Sequence, residues 1–388
     1  MTVKVIYAYP WDVVGDPSAP ERLARLGADT VALAASYHSV RAATPFHPAH
    51  RLVEARPALY VPVRAGSWGR LVPAAPTWTA PDAFVQAADA LRAAGLAVHA
   101  WTVLTHNSHL GTAHPSLAVR NAFGDRYPYA LCPSHPDVVD YCRILVREIA
   151  ELGAPDGFVL EACGPLGVRH AGTHEKTDGA DWTAAQLDLL SLCFCTVCAR
   201  RYPAGTRERV RTGVDTASPS VEAALGDLAP VVQELRAGLG RELQHTLRLE
   251  AAGLPVTLHA NPHPWAAGAF SQVSAAPSAD VLVANCWDDP ASGTARLRRL
   301  RALAAPGTRL GASVLVLPPA TLNPETLAAY HSAGADEIHV YHAGLASRSR
   351  LATITDTLRS FGSGAGQNAC SNIANTANTA NTANPGAP

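Results

Sequence analysis

The stretch Pro81–Leu104, "PDAFVQAADALRAAGLAVHAWTVL", places a strongly helical pattern directly before a strand pattern. Gly95 separates the two, as a residue that stops a helix commonly does. The following "LAVHAWTVL" is almost continuously apolar, which is typical of a strand buried on both faces of a parallel sheet. The stretch therefore predicts one helix-then-strand unit of an α/β protein.

The same unit recurs along the chain. Eight apolar runs are separated by helical stretches, and several of these helices end in Gly just before the next run. The runs are 3–10, 28–39, 96–104, 155–164, 254–262, 279–289, 308–318 and 335–344. Between the fourth and fifth runs, residues 220–253 predict one long helix.

Eight such units predict a (β/α)8 TIM barrel with long βα loops, as one domain over residues 1–362. A doubly wound open sheet is the alternative, but "AYPWDVVGDPSAP" after the first run is not a glycine-rich phosphate turn. Residues 363–388 are rich in Gly, Ser, Asn, Thr and Ala, contain a three-residue repeat, and predict a disordered low-complexity tail.

Composition narrows the class of protein. The 388 residues carry a net charge of −1, which gives no general electrostatic reason to bind nucleic acid or an anionic membrane. No segment approaches the ~20 consecutive apolar residues of a membrane span, and the first residues do not resemble a secretory signal. We therefore expect a cytoplasmic protein, in which clustered cysteines are more often metal ligands or catalytic groups than disulfides.

Three cysteines lie within six residues in "LCFCTVCARRY": Cys193, Cys195 and Cys198. A structural zinc needs four ligands, so a fourth must come from elsewhere. Cys132 in "ALCPSHP" is the expected one, because its loop follows the third strand and neighbours the loop that carries the cluster. Such a zinc would join two adjacent βα loops. Cys142, by contrast, lies on the apolar face of a helix and predicts a buried small hydrophobe.

Polar and aromatic residues end successive strands. In a barrel, the carboxyl ends of the strands meet at one mouth, where active sites lie. The candidate residues for binding a substrate there are His38, Trp101, His106, Asn107, Glu175, His259, Asn261, Trp287 and His342.

The elements "LCPSHPDVVDYCRILVREIAEL" and "LCFCTVCARRY" resemble those of the zinc-bearing family-42 β-galactosidases. The resemblance covers roughly residues 101–202, and the remainder matches only in its barrel rhythm. It implies a (β/α)8 barrel, a structural zinc, a small carbohydrate or glycoside as substrate and possible homo-oligomers. It also implies that Glu161, at the end of strand four, is the catalytic acid/base, with Leu160 where the family has Asn.

The chain departs from the family at the second carboxylate. Strand seven, "GASVLVLPPATLN", offers no carboxylate before Glu325 where the family has its nucleophile. Asp288 and Asp289, in "NCWDDP", and Glu175 are the candidates, and we favour Asp288. An apolar strand before Glu161 should raise the pKa of its carboxyl toward the range of a general acid.

The resulting expectation is a glycoside hydrolase that cleaves O-glycosidic bonds by carboxylate acid/base catalysis. Two alternatives remain open at this point. One is a metal-dependent barrel hydrolase using His170, His174 and Glu175. The other is a carbohydrate-binding barrel without catalysis, which the missing carboxylate in strand seven permits.

Overall fold

The computed structural model describes residues 2–169, 176–274, 277–318 and 322–362. The predicted tail, 363–388, lies outside the described residues. In chain order the strands are β1 Val3–Ala8, β2 Thr30–Tyr37, β3 Val40–Ala43, β4 Leu52–Ala55, β5 Ala58–Leu59, β6 Ala97–Val103, β7 Ala118–Arg120, β8 Arg126–Leu131, β9 Gly157–Glu161, β10 Val256–Asn261, β11 Ser271–Gln272, β12 Val281–Asn285, β13 Arg309–Leu315 and β14 Glu337–Tyr341.

Eight of these strands form a closed parallel barrel. They pair in the order β1, β2, β6, β9, β10, β12, β13 and β14, and β14 pairs back with β1. Each coincides with one of the eight apolar runs, so the predicted TIM barrel is confirmed. The closure has a defined register, in which Val3 lies opposite Glu337 on one side and Val5 opposite Thr30 on the other.

Helices connect the strands. They are α1 Ala19–Ala24, α2 Ala83–Ala93, α3 Ser108–Ala113, α4 Pro136–Gly153, α5 Ala184–Leu190, α6 Thr196–Arg201, α7 Thr206–Asp215, α8 Val221–Leu225, α9 Ala229–Glu250, α10 Pro290–Leu303, α11 Pro324–Ser332 and α12 Arg348–Gly362. None of the helices in the described ranges is long and apolar enough to cross a bilayer.

The predicted single helix over 220–253 is wrong. It is two helices, α8 and α9, separated by a turn over Gly226–Leu228. Gly226 has a φ of 56°, a left-handed conformation that a helix cannot continue through. Pro230 then stands in the first turn of α9, where its missing N–H leaves no helical hydrogen bond unmade.

The unit over 81–104 shows why a helix is followed by a strand in this chain. Ala83, Ala87 and Leu91 of α2 are buried at four-residue spacing, which is one face of a helix. Gly95 then reverses the chain at a φ of 83°. Strand β6 follows, with Val98, Ala100 and Trp101 inaccessible to solvent among its residues.

Long insertions enlarge the mouth end of the barrel, and the one after β2 contains the antiparallel pair β3–β4. After β6 the chain forms α3 and the antiparallel pair β7–β8. After β9 it forms α5, α6, α7 and α8, whose apolar residues build a second core that includes Leu189, Val210 and Leu225. The βα loops after the third and fourth barrel strands are therefore ordered structures in their described parts. Whether the chain is one domain over 1–362 stays a prediction.

Candidate functional site

Glu161 ends β9 at the mouth of the barrel, and its side chain is 1% exposed. Its Oε2 accepts a hydrogen bond from Trp101 Nε1 at 2.8 Å and lies 3.5 Å from His259 Nδ1. Tyr341 is a further hydrogen-bonding partner of the carboxyl group. These partners come from β6, β10 and β14, so the ends of three other barrel strands converge on Glu161.

Burial sets the protonation of this group. It raises the pKa of Glu161 to about 7, although the hydrogen bonds from Trp101 and Tyr341 pull it downward. Burial also lowers the pKa of His259 to about 3, and the charge of His339 adds to that lowering. Near neutral pH the site therefore pairs a carboxyl group that readily holds or loses a proton with an uncharged imidazole.

Aromatic rings enclose the acid. The ring of Trp101 lies edge-on to Tyr7 at 5.1 Å, to Tyr37 at 4.6 Å and to Tyr341 at 5.3 Å between centroids. All four side chains are buried. Edge-to-face packing of this kind is favourable and leaves little room for water, which explains why desolvation dominates the pKa of Glu161.

The backbone is strained beside the acid. Ala162, directly after Glu161, has a φ of 54°, and His342, directly after Tyr341, has a φ of 67°. Residues with a side chain rarely adopt this left-handed conformation, and such strain is concentrated at functional sites. Two barrel strands that supply the acid and one of its partners thus end in strained turns.

A cleft of about 440 Å³ lies one aromatic layer away from the acid. Phe270 lines this cleft and stacks on His259, with the rings 6° from parallel and 4.5 Å apart. Trp287 lines it too and packs against Tyr341 at 4.9 Å. Asn261 is one of several polar residues that line the cleft. The volume falls in the range of pockets for small ligands.

Asp288 is placed differently from Glu161. Its side chain is 57% exposed and forms an ion pair with Arg296 of α10. Within the described ranges, the contacts of Glu161 are to Trp101, His259 and Tyr341, and none of these is a carboxylate. The structure therefore records no contact between the two predicted catalytic carboxyl groups, and Asp288 is paired with the guanidinium of Arg296 instead.

Several predicted binding residues have structural partners. Asn107 caps the first turn of α3, and its Oδ1 accepts a hydrogen bond from Leu110 N at 3.0 Å. His38 stacks on His106 at 4.2 Å between ring centroids. The pKa of His342 is lowered to about 3 by burial and by His38. His170, His174 and Glu175 lie outside the described residues.

Sequence reasoning missed other members of the site. Tyr7 lies in β1 and Tyr9 directly follows the strand, and both rings pack against Trp101, at 5.1 and 5.4 Å between centroids. Phe270, which covers His259, lies in a loop whose sequence carries no recognisable signal. His339 lies two residues before the end of β14 and contacts Tyr7 and Glu337 inside the barrel.

The four predicted cysteines lie close together. One Sγ atom from each of Cys132, Cys193, Cys195 and Cys198 lies within 4.8 Å of the others. Cys132 Sγ is 3.6 Å from Cys198 Sγ and 3.8 Å from Cys195 Sγ. Sulfur atoms about 2.3 Å from a tetrahedral zinc are about 3.8 Å apart, so the geometry suits that ion. Among the described residues, no other such group of metal-binding side chains is found.

The local fold supports this metal-binding geometry. Cys132 follows β8, and Cys195 is the residue that caps the first turn of α6. The backbone N–H groups of Cys195 and Cys198 donate to the Sγ atoms of Cys193 and Cys195, at 3.4 and 3.5 Å. Such bonds favour thiolates, the form that binds metal. The cluster therefore links the loops after the third and fourth barrel strands.

No family model matches the chain, and no curated protein sequence matches it. Solved structures do. The chain is similar to α-L-fucosidase isoenzyme 2 from Paenibacillus thiaminolyticus, with a TM-score of 0.57 and 12% identity over 95% of this chain and 50% of that one. The chain thus spans about half the length of that protein.

Two further structures are covered almost completely. The PgaB (BpsB) glycoside hydrolase domain from Bordetella bronchiseptica has a TM-score of 0.55 and 17% identity, over 92% of this chain and 98% of that one. The catalytic domain of β-amylase from Paenibacillus polymyxa has a TM-score of 0.51 and 11% identity, over 92% and 97%. At these identities the likeness shows a barrel fold shared with glycoside hydrolases. The finer resemblance to family-42 β-galactosidases stays a prediction.

Proposed function

We propose that the protein is a glycoside hydrolase in which Glu161 protonates the departing glycosidic oxygen. The observation that carries the proposal is the state of this carboxyl group. It ends the fourth barrel strand, it is buried against Trp101, and its pKa is raised to about 7. A general acid needs a proton that is held near neutral pH and is still transferable, which this environment provides.

The second carboxyl group of the mechanism remains Asp288 in this proposal. Carboxyl groups that act together on a glycoside lie about 5–5.5 Å apart in retaining enzymes and about 6.5–9.5 Å apart in inverting ones. Because Asp288 is paired with Arg296, the proposal requires this ion pair to open when substrate binds. Asp12, whose pKa burial raises to about 7, is less suited, because a nucleophile or base must be ionised.

The substrate would be a small glycoside in the cleft beside Phe270. We assign the face of a sugar ring to Trp287 and hydroxyl groups to Asn261, since both residues line the cleft. The buried candidates, Trp101 and His259, would act on the substrate only through Glu161 in this arrangement. His38, His106, Asn107, His342 and Glu175 remain proposed substrate contacts, and Glu175 lies outside the described residues.

The four cysteines are proposed to hold one structural zinc. Four protein ligands complete its tetrahedral coordination and leave no position for a substrate or an activated water. The ion would then fix the two insertions that flank the mouth. One zinc per chain is the expected stoichiometry. Two metals per chain would instead favour a metal-dependent hydrolase that uses residues of the 170–175 loop.

Replacing Glu161 with Gln tests the mechanism. We expect glycosides with poor leaving groups to lose turnover, while aryl glycosides with good leaving groups lose much less because they need little protonation. Glu148→Gln is the matched control, since Glu148 is equally buried but bonds Arg64 on the outside of the barrel. Equal loss on both substrate types in Glu161→Gln would assign this residue another role, and unchanged activity would refute the proposal.

A second candidate is a carbohydrate-binding barrel without hydrolysis. Its support is the 1% exposure of Glu161 together with the absence of a carboxylate among its described contacts. Calorimetric binding of sugars to the wild type, weakened by Trp287→Ala and unaccompanied by any release of product over long incubation, would favour this candidate over the enzyme.

A further inference from the structure

A chain of polar side chains runs through the barrel interior below Glu161, where barrels are usually filled by branched aliphatic residues. His259 Nε2 lies 2.8 Å from Tyr7 Oη, and Tyr7 Oη lies 3.0 Å from His339 Nδ1. His339 Nε2 lies 2.9 Å from Glu337 Oε2. The Oε1 atom of Glu337 is paired with Arg309 at 2.6 Å. Tyr7, His259, His339 and Glu337 are all buried.

The base of the chain fixes where hydrogens lie. Burial raises the pKa of Glu337, but the hydrogen bond from His339 and the charges of His339 and Arg309 together hold it below its usual value. Glu337 is therefore a carboxylate that only accepts, so His339 Nε2 must carry a hydrogen. With a neutral His339, Nδ1 accepts from Tyr7, and the oxygen of Tyr7 accepts from His259 Nε2–H.

This order leaves a lone pair on His259 Nδ1. Among the described residues that atom has no hydrogen-bonding partner, although the ring is fully buried. The nearest polar group is Glu161 Oε2, at 3.5 Å. A lone pair facing a carboxylate is unfavourable, whereas a lone pair facing a protonated carboxyl group can accept its hydrogen. The polarity set at Glu337 therefore favours a proton on Glu161.

The opposite polarity uses the same number of protons. If His339 is protonated, its Nδ1–H donates to Tyr7, Tyr7 donates to His259 Nε2, and His259 Nδ1–H donates to an ionised Glu161. The two states interconvert by three transfers. Glu161 gives its proton to His259 Nδ1, His259 Nε2 gives its proton to Tyr7 Oη, and Tyr7 gives its proton to His339 Nδ1. No bond other than these O–H and N–H bonds changes, and the net result is that one proton moves from Glu161 to His339, which leaves Glu161 negative and His339 positive, or the reverse.

We propose that Tyr7, His259 and His339 form a proton relay. It lets Glu161 exchange its proton with the His339–Glu337 pair while the aromatic side chains around Glu161 stay closed. The use of the relay in catalysis rests on the proposed function, whereas the relay itself does not. In that use His259 acts as a positioning residue, since it contacts Glu161 but the cleft is separated from it by Phe270.

Other ionisable groups lie near Glu161 and near His339, at the two ends of the relay, and must be monitored in the same pH titration. Tyr9, Tyr37 and Tyr341 lie near enough to Glu161 for its charge to raise the pKa of each phenol. At the base, the charge of His339 lowers the pKa of His99, beyond the larger effect of burial. The ring of His339 fits because strand β13 has Gly311 there, where a Cβ would lie 2.7 Å from the imidazole.

The test is a pH titration of the resting protein by NMR. The carboxyl carbon of Glu161 reports its own charge, and the ring nitrogens report the tautomers of His259 and His339. In the wild type we expect the His339 nitrogens to shift with the same midpoint as the Glu161 carboxyl, because an ionised Glu161 favours Nδ1–H on His259, and Tyr7 then donates to His259 Nε2 and no longer to His339 Nδ1. Tyr7→Phe keeps the ring but removes the hydroxyl link, and it should abolish that shift at His339 while Glu161 still titrates. Tyr330 is a buried tyrosine whose hydroxyl donates a hydrogen bond to Cys286 O. Tyr330→Phe should therefore leave the shift intact.

Independent outcomes separate the relay from the proposed function. His339 nitrogens that ignore the Glu161 titration in the wild type would overturn the relay, whatever the activity of the protein. A linked titration in a protein that cleaves no glycoside would leave the relay standing and remove the hydrolase. If Tyr7→Phe does not fold, Glu161→Gln interrupts the relay at its other end. This variant should eliminate the pH-dependent shift of the His339 nitrogens, and a shift that persists refutes the proposal.

Discussion

Glu161→Gln should make the protein more stable at alkaline pH and remove part of the pH dependence of its unfolding. The folded wild type holds a proton on Glu161 up to about pH 7, whereas an ordinary glutamate, with a pKa of 4.5, loses it much earlier. Between these values the folded state binds more protons than the unfolded state. Stability from this group is therefore complete at low pH and is lost as the pH rises through about 7.

The magnitude follows from the size of the pKa change. Each pKa unit corresponds to about 1.4 kcal/mol, and the pKa rises from 4.5 to about 7. The contribution lost between about pH 4 and about pH 8 is therefore about 3 kcal/mol. The side chain is 1% exposed, so solvent screening does not reduce this figure. Gln cannot ionise, and its amide oxygen can still accept from Trp101, so the variant should avoid the loss.

Chemical denaturation of both proteins across this pH range measures the effect. The free energy of unfolding of the variant minus that of the wild type should rise by about 3 kcal/mol from acid to alkaline pH. The wild-type stability alone does not report on Glu161, because His259 and His342, whose pKa values are lowered to about 3, give it a pH dependence of the opposite sign.

Glu148→Gln provides a control of opposite sign. The hydrogen bond from Arg64 lowers the pKa of Glu148, so this variant should lose most stability where the carboxylate is ionised. A difference in the free energy of unfolding between Glu161→Gln and the wild type that does not change with pH would show that Glu161 is hydrated and has an ordinary pKa. Glu161 would then not be suited to act as a general acid.

Three further predictions concern the zinc cluster and the surroundings of the acid. Cys195→Ser should abolish binding of one zinc per chain and loosen the two mouth loops without unfolding the barrel, while Cys142→Ser should keep the metal; zinc analysis and limited proteolysis check both. Trp101→Phe removes a hydrogen bond that favours the ionised acid, so infrared titration of the Glu161 carboxyl should show a higher pKa. Phe270→Ala should admit water toward His259 and lower that pKa, and a change in the same direction as in Trp101→Phe would contradict the proposed burial.

The eight strands could be predicted because burial on both faces leaves a strong signal in the sequence. In a parallel strand such as β6, five of the seven residues are buried, and His99 and Thr102 are the only polar residues. Helix bounds were less secure. The break between α8 and α9 depends on the φ of Gly226, and glycine also occurs inside α9, at Gly238 and Gly240, without ending it.

The candidate site was predictable only where chemistry and position coincide. Cys132 was found because a zinc needs a fourth thiolate, and Glu161 because a strand end was expected to face the mouth. Tyr7 gave no such signal, since a tyrosine in an apolar strand is ordinarily a packing residue. The placement of Asp288 depends on an ion pair with Arg296, eight residues further along the chain, and a pattern of strand ends does not specify which partner a loop carboxylate chooses.

Burial of the acid and access to it oppose each other. The enclosure that raises the pKa of Glu161 also separates it from the cleft, with Phe270 and His259 in between. A hydrolase must relieve this separation when substrate binds, and the strained turns at Ala162 and His342 are where stored strain could assist such a movement. A binding protein has no need of either strain or a protonated acid. The presence of both beside one cleft therefore favours the hydrolase, and the leaving-group test on Glu161→Gln is the measurement that decides between the two.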